Sequence, residues 1–136
     1  MYVVIIGSGR TGSMLAGLLS QKGCDVVIID KDESQFEFLS VEFSGFRVEG
    51  DALEQEVLKQ AKIEQADSVL ITTGNDKANY MIAQMASVLF EVSSIMVRVV
   101  DPEKDKLFDD NPSITTLSPI SLLVDEMVDK LMGSDE

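Results

Sequence analysis

Runs of apolar, mostly β-branched residues alternate along this chain with segments in which apolar residues recur every three or four positions. The first run is Val3-Val4-Ile5-Ile6, and four such side chains in a row predict a strand buried on both faces. Four further runs predict strands at residues 24–30, 67–72, 94–100 and 114–117, and an alternation of apolar and polar residues predicts another at 46–49.

Segments whose apolar residues have helical spacing lie between the predicted strands. Helices are expected after Gly12, after Asp32, over 53–61, over about 77–90, after Asp101 and from Ser118 to about Leu131. The second of these would hold Phe36, Leu39, Val41 and Phe43. This alternation predicts the α/β class, as a Rossmann-like, doubly wound parallel sheet of six strands. Residues 1–132 are expected to form a single domain and residues 133–136 a tail.

A glycine-rich turn follows the first strand directly. It has the form Gly-x-Gly-x-x-Gly, and the residues are Gly7-Ser8-Gly9-Arg10-Thr11-Gly12. Between a strand and a helix, this spacing is typical of sites for nucleotide phosphates, because each glycine has a task. Gly7 permits the tight turn, Gly9 lets a phosphate approach the backbone, and Gly12 lets the helix pack against the strand. The start of the helix would add free N–H groups and the positive end of its dipole.

A carboxylate ends the second predicted strand. Asp30 lies about 20 residues after the glycines, where an acid accepts hydrogen bonds from a ribose diol. Asp51, residues 72–76 and the residues after Arg98 also follow predicted strands, so they are expected to converge on one ligand. The alternative is an α/β protein without a nucleotide, in which Asp30 only caps the next helix.

Composition narrows the possible functions. The formal net charge is −13 at pH 7, which argues against a nucleic acid or an anionic membrane surface as partner. The sequence contains no histidine, which excludes histidine-based catalysis, histidine metal ligands and serine or cysteine triads. It shows no signal segment and no apolar run long enough to span a bilayer, so a cytoplasmic location without membrane insertion is expected.

Several short motifs together resemble one family. They are Ile6 to Gly12, Asp30-Lys31-Asp32, Gly50-Asp51-Ala52, the run from Ala66 to Thr72, the set Asn75, Asp76 and Asn79, and Val97-Arg98-Val99. In this combination the chain resembles the TrkA N-terminal family, the RCK or KTN domains that regulate potassium channels and transporters.

The resemblance implies a cytosolic regulatory module without chemistry of its own, which binds NAD(H) or ATP/ADP. It implies a homodimer, often within an octameric ring, that is held at the inner face of the membrane by a potassium channel or transporter subunit. By position, the phosphates would meet the glycine turn, namely Gly7, Ser8, Gly9, Arg10, Thr11 and Gly12. Asp30 would take the ribose with Lys31 beside it, and Asp51 and Ala52 would border the adenine. Thr72, Thr73 and Arg98 would lie near the phosphates or the distal ribose. No catalytic or metal-binding residue is implied.

Two departures from the family pattern concern the end of the chain. Many relatives carry a glutamate where Ile120 follows Ser118-Pro119. Relatives also usually continue into a small C-terminal regulatory domain, so this chain is expected to be a fragment or a stand-alone N-domain subunit.

Two other functions remain open at this stage. One is an NAD-dependent oxidoreductase or a fragment of one, and the other is a scaffold domain that has lost its ligand. An oxidoreductase needs a proton-transfer group beside the nicotinamide, and no Tyr-x-x-x-Lys motif follows Tyr80. Within the regulatory hypothesis, Arg10 is expected to contact the outermost phosphate, in its own or the partner subunit, so that ATP and ADP favour different dimer geometries.

Overall fold

The computed structural model describes residues 1–133, so the predicted tail lies outside the described residues except for Gly133, which ends the last helix. The strands are β1 (Tyr2–Ile6), β2 (Asp25–Asp30), β3 (Phe46–Glu49), β4 (Ser68–Ile71), β5 (Ile95–Arg98) and β6 (Ile114–Leu117). The α-helices are α1 (Arg10–Gln21), α2 (Gln55–Gln60), α3 (Asp76–Gln84) and α4 (Pro119–Met132). Short 3-10 turns occupy Glu33–Phe38, Ile63–Gln65 and Pro102–Phe108.

The strands form one parallel sheet in the order β3-β2-β1-β4-β5-β6. The order reverses at β1, because β2 and β3 lie on one side of it and β4 to β6 on the other. In such sheets a crevice opens at the carboxyl ends of the strands at the reversal point, which is here between β1 and β4. The predicted six-stranded, doubly wound α/β fold is confirmed.

Side chains of the central strands alternate between two apolar cores. Val3 and Ile5 point toward α1 and pack with Val26, Ile28, Ala16 and Phe36. Val4 and Ile6 point to the opposite face, where Leu58 of α2 and Ile82 of α3 join a larger core. Burial on both faces explains why these strands appear in the sequence as continuous apolar runs rather than as alternating patterns.

The prediction of a helix after Asp32 is wrong beyond the first turns of that segment. Asp32 caps this segment by accepting a hydrogen bond from the Ser34 N–H at 3.0 Å, but only the 3-10 turn Glu33–Phe38 forms. Leu39 is already extended, and Val41 is 95% exposed. Helical spacing of apolar residues was a misleading signal here, because in the segment before β3 only Phe36 is buried.

The helix predicted over residues 77–90 forms with one change. It begins at Asp76, runs as an α-helix to Gln84 and continues through a wider π turn over Met85–Leu89. The helix predicted over residues 53–61 shortens to Gln55–Gln60, because the Asp51 side chain accepts the Leu53 N–H in a turn before it.

Two apolar surfaces stay exposed. The register places Leu70, Met96 and Leu117 on the α1 side of the sheet, where Met96 and Leu117 are each 43% exposed. None of the 14 residues of α4 is buried, although the helix carries a row of large apolar side chains: Ile120, Leu123, Val124, Met127, Val128 and Leu131. Exposed apolar surfaces of this kind commonly mark sites of association.

The packing of α1 against the turn after β1 gives a test of the fold. An ideal Cβ on Gly12 would lie 1.8 Å from the Gly7 carbonyl oxygen, so Gly12→Ala requires α1 to move. We expect this substitution to lower the free energy of unfolding by about 1–3 kcal/mol or more, measured by urea denaturation.

Gly9→Ala is the matched control. An ideal Cβ on Gly9 comes no closer than 3.9 Å to any other side chain or distant backbone atom, so the expected loss is at most about 1 kcal/mol, from a poorer helix cap. Equal losses in the two variants would contradict the packing described here.

Candidate functional site

A cavity of about 440 Å³ opens at the carboxyl ends of the strands, at the point where the strand order reverses. Residues from five of the strand ends and the loops after them line it. The lining residues are Ile6, Gly7, Gly9, Ile29, Asp30, Lys31, Gln35, Gly50, Asp51, Ala52, Leu53, Thr72, Thr73, Gly74, Asn75, Ala78, Ile82 and Arg98. This size and mixture of apolar walls with a few polar groups is typical of a small-molecule site.

The glycine turn forms one wall of the cavity. Gly7 has a φ of +102°, which favours glycine, and its N–H donates to the Ile29 carbonyl at 2.8 Å. Gly9 precedes α1 and offers no side-chain cap, whereas Asn75 and Ser118 cap α3 and α4 with side-chain oxygens. The first N–H groups of α1 thus keep their capacity to bind an anion at the positive end of the helix dipole.

Two glycines in the wall have no structural requirement for their missing side chains. An ideal Cβ on Gly74 meets no heavy atom within 4 Å, and one on Gly9 meets only the Gln35 Oε1 at 3.9 Å. Neither residue has the positive φ that favours glycine. What their small size provides is room in the cavity, which fits a bulky group lying against the backbone.

Asp30 is fixed at the mouth of the cavity by two backbone groups. Its Oδ2 accepts the Ser8 N–H at 2.8 Å, and its Oδ1 accepts the Asp32 N–H at 2.9 Å. A carboxylate accepts about four hydrogen bonds, so each oxygen keeps capacity for a ligand hydroxyl. Lys31 follows on the rim and is exposed. Hydrogen bonds from Ser34 hold the pKa of Asp32 below its usual value.

The adjoining wall comes from the turn after β3. The Asp51 Oδ1 accepts the Leu53 N–H at 3.0 Å, which closes the turn, and Ala52 is buried between this turn and the core. Ala52 and Leu53 contribute to the apolar part of the cavity together with Ile6 and Ile29. A flat apolar ring fits such a wall.

The opposite side of the cavity is held by a buried asparagine. Asn79 is 1% exposed, and its Nδ2 donates to the Thr73 carbonyl at 2.9 Å and to the Arg98 carbonyl at 3.0 Å. Its Oδ1 accepts from the Thr73 hydroxyl. The Thr72 hydroxyl lies 3.1 Å from the carbonyl oxygens of both Ile6 and Gly7, which joins the end of β4 to the glycine turn.

Asp76 fixes the same side from outside the cavity. Its carboxylate accepts the Val100 N–H at 2.7 Å and the Asp101 N–H at 2.8 Å, so the start of α3 is tied to the chain after β5. Asn75 accepts the Ala78 N–H at 2.9 Å as the cap of α3. The Asn75, Asp76 and Asn79 set thus has a structural role, which is to hold Thr73 and Arg98 in place.

The guanidinium of Arg98 is only partly paired within the described residues. Its Nη1 donates to the Thr72 carbonyl at 3.3 Å. Its Nε is buried and has no hydrogen-bond acceptor within the described residues. A buried unpaired donor costs about 1–3 kcal/mol, so the guanidinium is held in this position at a cost in stability.

Nine of the residues singled out from the sequence line the cavity, and four do not. The nine are Gly7, Gly9, Asp30, Lys31, Asp51, Ala52, Thr72, Thr73 and Arg98. Ser8 is fully buried and its Oγ lies 3.0 Å from the Ser13 Oγ, away from the cavity. Gly12 sits in the contact between α1 and the turn. Thr11 is exposed.

The Arg10 side chain does not line the cavity and lies over Phe38 instead. Its guanidinium carbon lies 5.8 Å from the centre of the Phe38 ring, and the side chain lines a separate groove of about 370 Å³. The expectation that Arg10 contacts a phosphate stays a prediction, and within one chain the side chain would have to leave Phe38 to do so.

Gly74 lines the cavity and lies within residues 72–76, which the sequence predicted to converge on the ligand. Gln35 also lines the cavity but was not predicted as a site residue. The sequence offered no signal for Gln35, because the segment that carries it was predicted to be a regular helix. Its backbone is placed by two hydrogen bonds, from the Gln35 N–H to the Asp32 carbonyl at 3.0 Å and from the Ser8 Oγ to the Gln35 carbonyl at 3.3 Å.

Neither a cluster of metal ligands nor a helix able to span a membrane is present among residues 1–133. In this part of the chain no three or more His, Cys, Asp or Glu side chains are grouped so that they could hold a metal ion. No helix in the same range has the length and apolar character needed to cross a membrane.

Comparison with known proteins finds one family along most of the chain. Residues 3–119 match the family model described as the TrkA-N domain. The Trk system potassium uptake protein TrkA of Streptomyces coelicolor is 34% identical over 134 residues, which cover 98% of this chain and 60% of that protein. The chain spans about half to three fifths of the length of the first curated relatives that it matches.

Two solved structures of one channel also match. The GsuK channel bound to NAD is 27% identical with a TM-score of 0.79, over 98% of this chain and 24% of the channel chain. The GsuK structure bound to ADP is 26% identical with the same TM-score of 0.79, over 98% of this chain and 34% of that chain.

The buried asparagine gives a test of how the site is held. Asn79→Ala leaves the carbonyls of Thr73 and Arg98 without their donor, so we expect the free energy of unfolding to fall by about 2–4 kcal/mol in urea denaturation. Asn75→Ala removes only a helix cap on the exposed side of the same loop and should cost about 1 kcal/mol. A smaller loss at Asn79 than at Asn75 would rule out its structural role.

Proposed function

The chain belongs to the TrkA-N domain family, and from this we propose that it is a nucleotide-binding regulatory domain that controls a potassium channel or transporter. The observation that carries the proposal is the cavity at the reversal point of the sheet. There the uncapped start of α1 and the Asp30 carboxylate border the same space. NAD(H) or ATP/ADP is the proposed ligand, and a change of conformation on binding is the proposed output.

Each part of an adenine nucleotide has a matching wall in the cavity. The first N–H groups of α1 would bind the phosphates, with Gly9 leaving room for them. The remaining lone pairs of Asp30 would accept the ribose hydroxyls. The turn with Asp51 and Ala52 would border the adenine, and Arg98 would lie near the distal part of the ligand.

The comparisons support this ligand class. The two matching structures of the GsuK channel are bound to NAD and to ADP. The curated relative from Streptomyces coelicolor is a potassium uptake protein. The rest of that protein's length lies outside the match with this chain. Two points are therefore part of the proposal: the chain controls a membrane potassium pore, and it lies beside that pore at the inner face of the membrane.

The side of the cavity that is formed after β4 and at the end of β5, away from Asp30, favours a regulatory role over the oxidoreductase alternative. Among the described residues, that side is lined by Thr72, Thr73, Asn75 and Arg98. A hydride transfer needs a neighbouring group that exchanges a proton, and arginine stays protonated in proteins. We therefore propose that the bound nucleotide is a signal rather than a reactant in this domain.

The proposal includes a homodimer formed through α4. This helix has no buried residue, and the sheet face that carries Met96 and Leu117 is also exposed. A second copy would cover both apolar surfaces, and each buried methylene contributes about 0.8 kcal/mol. Assembly of such dimers into an octameric ring is the further step that the family resemblance implies.

The ribose contact predicts a preference between two cofactors. Asp30 would repel a 2′-phosphate and would lose its hydrogen bonds to the diol, so NADH should bind at least about tenfold more tightly than NADPH in calorimetry. Equal affinity for NADH and NADPH would refute the assignment of Asp30.

Asp30→Ala tests the same contact from the protein side. It should weaken NADH binding by about 1.5–3 kcal/mol and should narrow the difference between NADH and NADPH. Asp25→Ala is the matched control, because Asp25 is the exposed first residue of the same strand, at the end away from the cavity. The control should leave both affinities unchanged.

The exposed row on α4 predicts an oligomeric state. The protein should be a dimer at micromolar concentration in sedimentation velocity. Met127→Lys should shift it to the monomer, because the substitution places a charge in the centre of the apolar row.

Asp125→Lys introduces the same side chain on the polar side of α4, with a larger change in net charge, and should leave the dimer intact. A wild-type monomer at micromolar concentration with bound NADH would exclude this mode of association.

A further inference from the structure

The strand β3 is an open edge of the sheet. It stands first in the strand order, and among the described residues only β2 pairs with it. Three of its four side chains are exposed, namely Phe46, Arg47 and Glu49, and Phe46 is 76% exposed. Edge strands present unpaired N–H and C=O groups, which makes them templates for pairing with another chain.

The unpaired backbone groups of β3 belong to its two charged residues. The Gly50 N–H donates to the Asp30 carbonyl at 3.0 Å, so Gly50 directs its backbone groups toward β2. This direction alternates from one residue to the next along a strand. The N–H and C=O groups of Arg47 and Glu49 therefore point away from β2, toward the open edge.

A second copy of this strand is the partner that matches the edge. In an antiparallel pairing centred on Val48, Arg47 lies directly opposite Glu49 of the partner subunit, and the reverse pair forms by symmetry. Both are hydrogen-bonded pairs, because these residues carry the outward N–H and C=O groups. Each pair also joins unlike charges on one face of the sheet, which stabilises cross-strand pairing.

Charge selects this register over the neighbouring ones. A pairing centred on Arg47 would place two arginines opposite each other, and one centred on Glu49 would do the same with two glutamates. Like charges in directly opposite positions destabilise a sheet. The formal net charge of −13 makes two copies of the chain repel each other, so a contact between them needs a surface that is complementary to itself, as this one is.

Phe46 adds an apolar contact on the other face of the strand. In the register centred on Val48, Phe46 lies opposite Gly50 of the partner subunit. An ideal Cβ on Gly50 would lie 2.7 Å from the Val57 Cγ2, so the half-buried Val57 occupies the space beside this glycine. An aromatic ring opposite a glycine stabilises a paired edge. The exposed ring would thus lie against an apolar wall.

We propose that β3 is a self-association surface, at which two copies of this chain pair antiparallel about Val48 and join their six-stranded sheets into one continuous sheet. This contact is separate from the proposed contact through α4, because α4 follows β6 at the opposite edge of the sheet. It requires no nucleotide. A contact between two such short strands buries little surface, so the association is weak.

The first test reverses the two charges in the Met127→Lys background, which removes the proposed contact through α4. This parent protein should dimerise in sedimentation velocity at concentrations up to about 0.5 mM, the range of a weak contact. Arg47→Glu and Glu49→Arg should each weaken the dimer at least about tenfold, because each places like charges opposite each other. An equimolar mixture of the two variants should form a heterodimer, and the double variant should dimerise as the parent does.

Lys106→Glu is the control, because it makes the same change of charge as Arg47→Glu in the 3-10 turn before β6, at the other edge of the sheet. It should dimerise as the parent does, and circular dichroism should show the same fold for every variant. Three results would overturn the proposal: a parent that stays monomeric, a mixture that associates no better than its components, and an equal loss in the control.

The second test follows amide hydrogen exchange along β3 by NMR in the parent protein. At high concentration the N–H groups of Arg47 and Glu49 should become protected, whereas that of Val48, which already points toward β2, should change little. Association through another surface would not produce this alternation. A parent that dimerises without it does not pair through β3, and that result would exclude the proposed contact.

Discussion

The close approach of α1 to the end of β1 is the constraint on which the site depends. The absent side chain of Gly12 lets the helix lie against the Gly7 carbonyl, and the Thr72 hydroxyl bonds to the same oxygen from β4. Three elements therefore meet at one carbonyl group. This junction fixes where α1 starts, and so where its free N–H groups lie relative to Asp30. The shape of the cavity therefore depends on how α1 packs as well as on the residues that line it.

The sequence was sufficient to predict the sheet because the central strands are buried on both faces, so that each is a continuous apolar run bounded by glycine or acidic residues. Two strands, β3 and β6, have the predicted bounds, and the ends of the others moved by at most two residues, as at β5, which was expected over residues 94–100 and forms over Ile95–Arg98. The segment after Asp32 was the exception. Its apolar residues have helical spacing, but the chain must turn back within a few residues to begin β3, and a regular helix does not fit that path.

The site was predictable where the backbone decides the position and was less so where the side-chain direction decides it. Asp30, Asp51 and Thr72 follow strands, so their places at the cavity come from the topology itself. Ser8 and Arg10 lie in the predicted turn, yet Ser8 is buried against Ser13 and Arg10 lies over Phe38. No spacing rule contains that information, because it depends on partners that are distant in the sequence. The structural task of Asn79 was likewise visible only once its two carbonyl partners were seen together.

The uncapped start of α1 has a consequence for the conditions under which a ligand would be sensed. Backbone amides do not titrate, and arginine stays charged throughout the range in which proteins fold. Since the chain has no histidine, it lacks the side chain that most often makes binding respond to acidity near neutrality. The protein donors of such contacts, these amides and Arg98, would keep their protonation state through modest changes in acidity. Any pH dependence of a contact that only these donors make would therefore come from the ligand and not from the protein side.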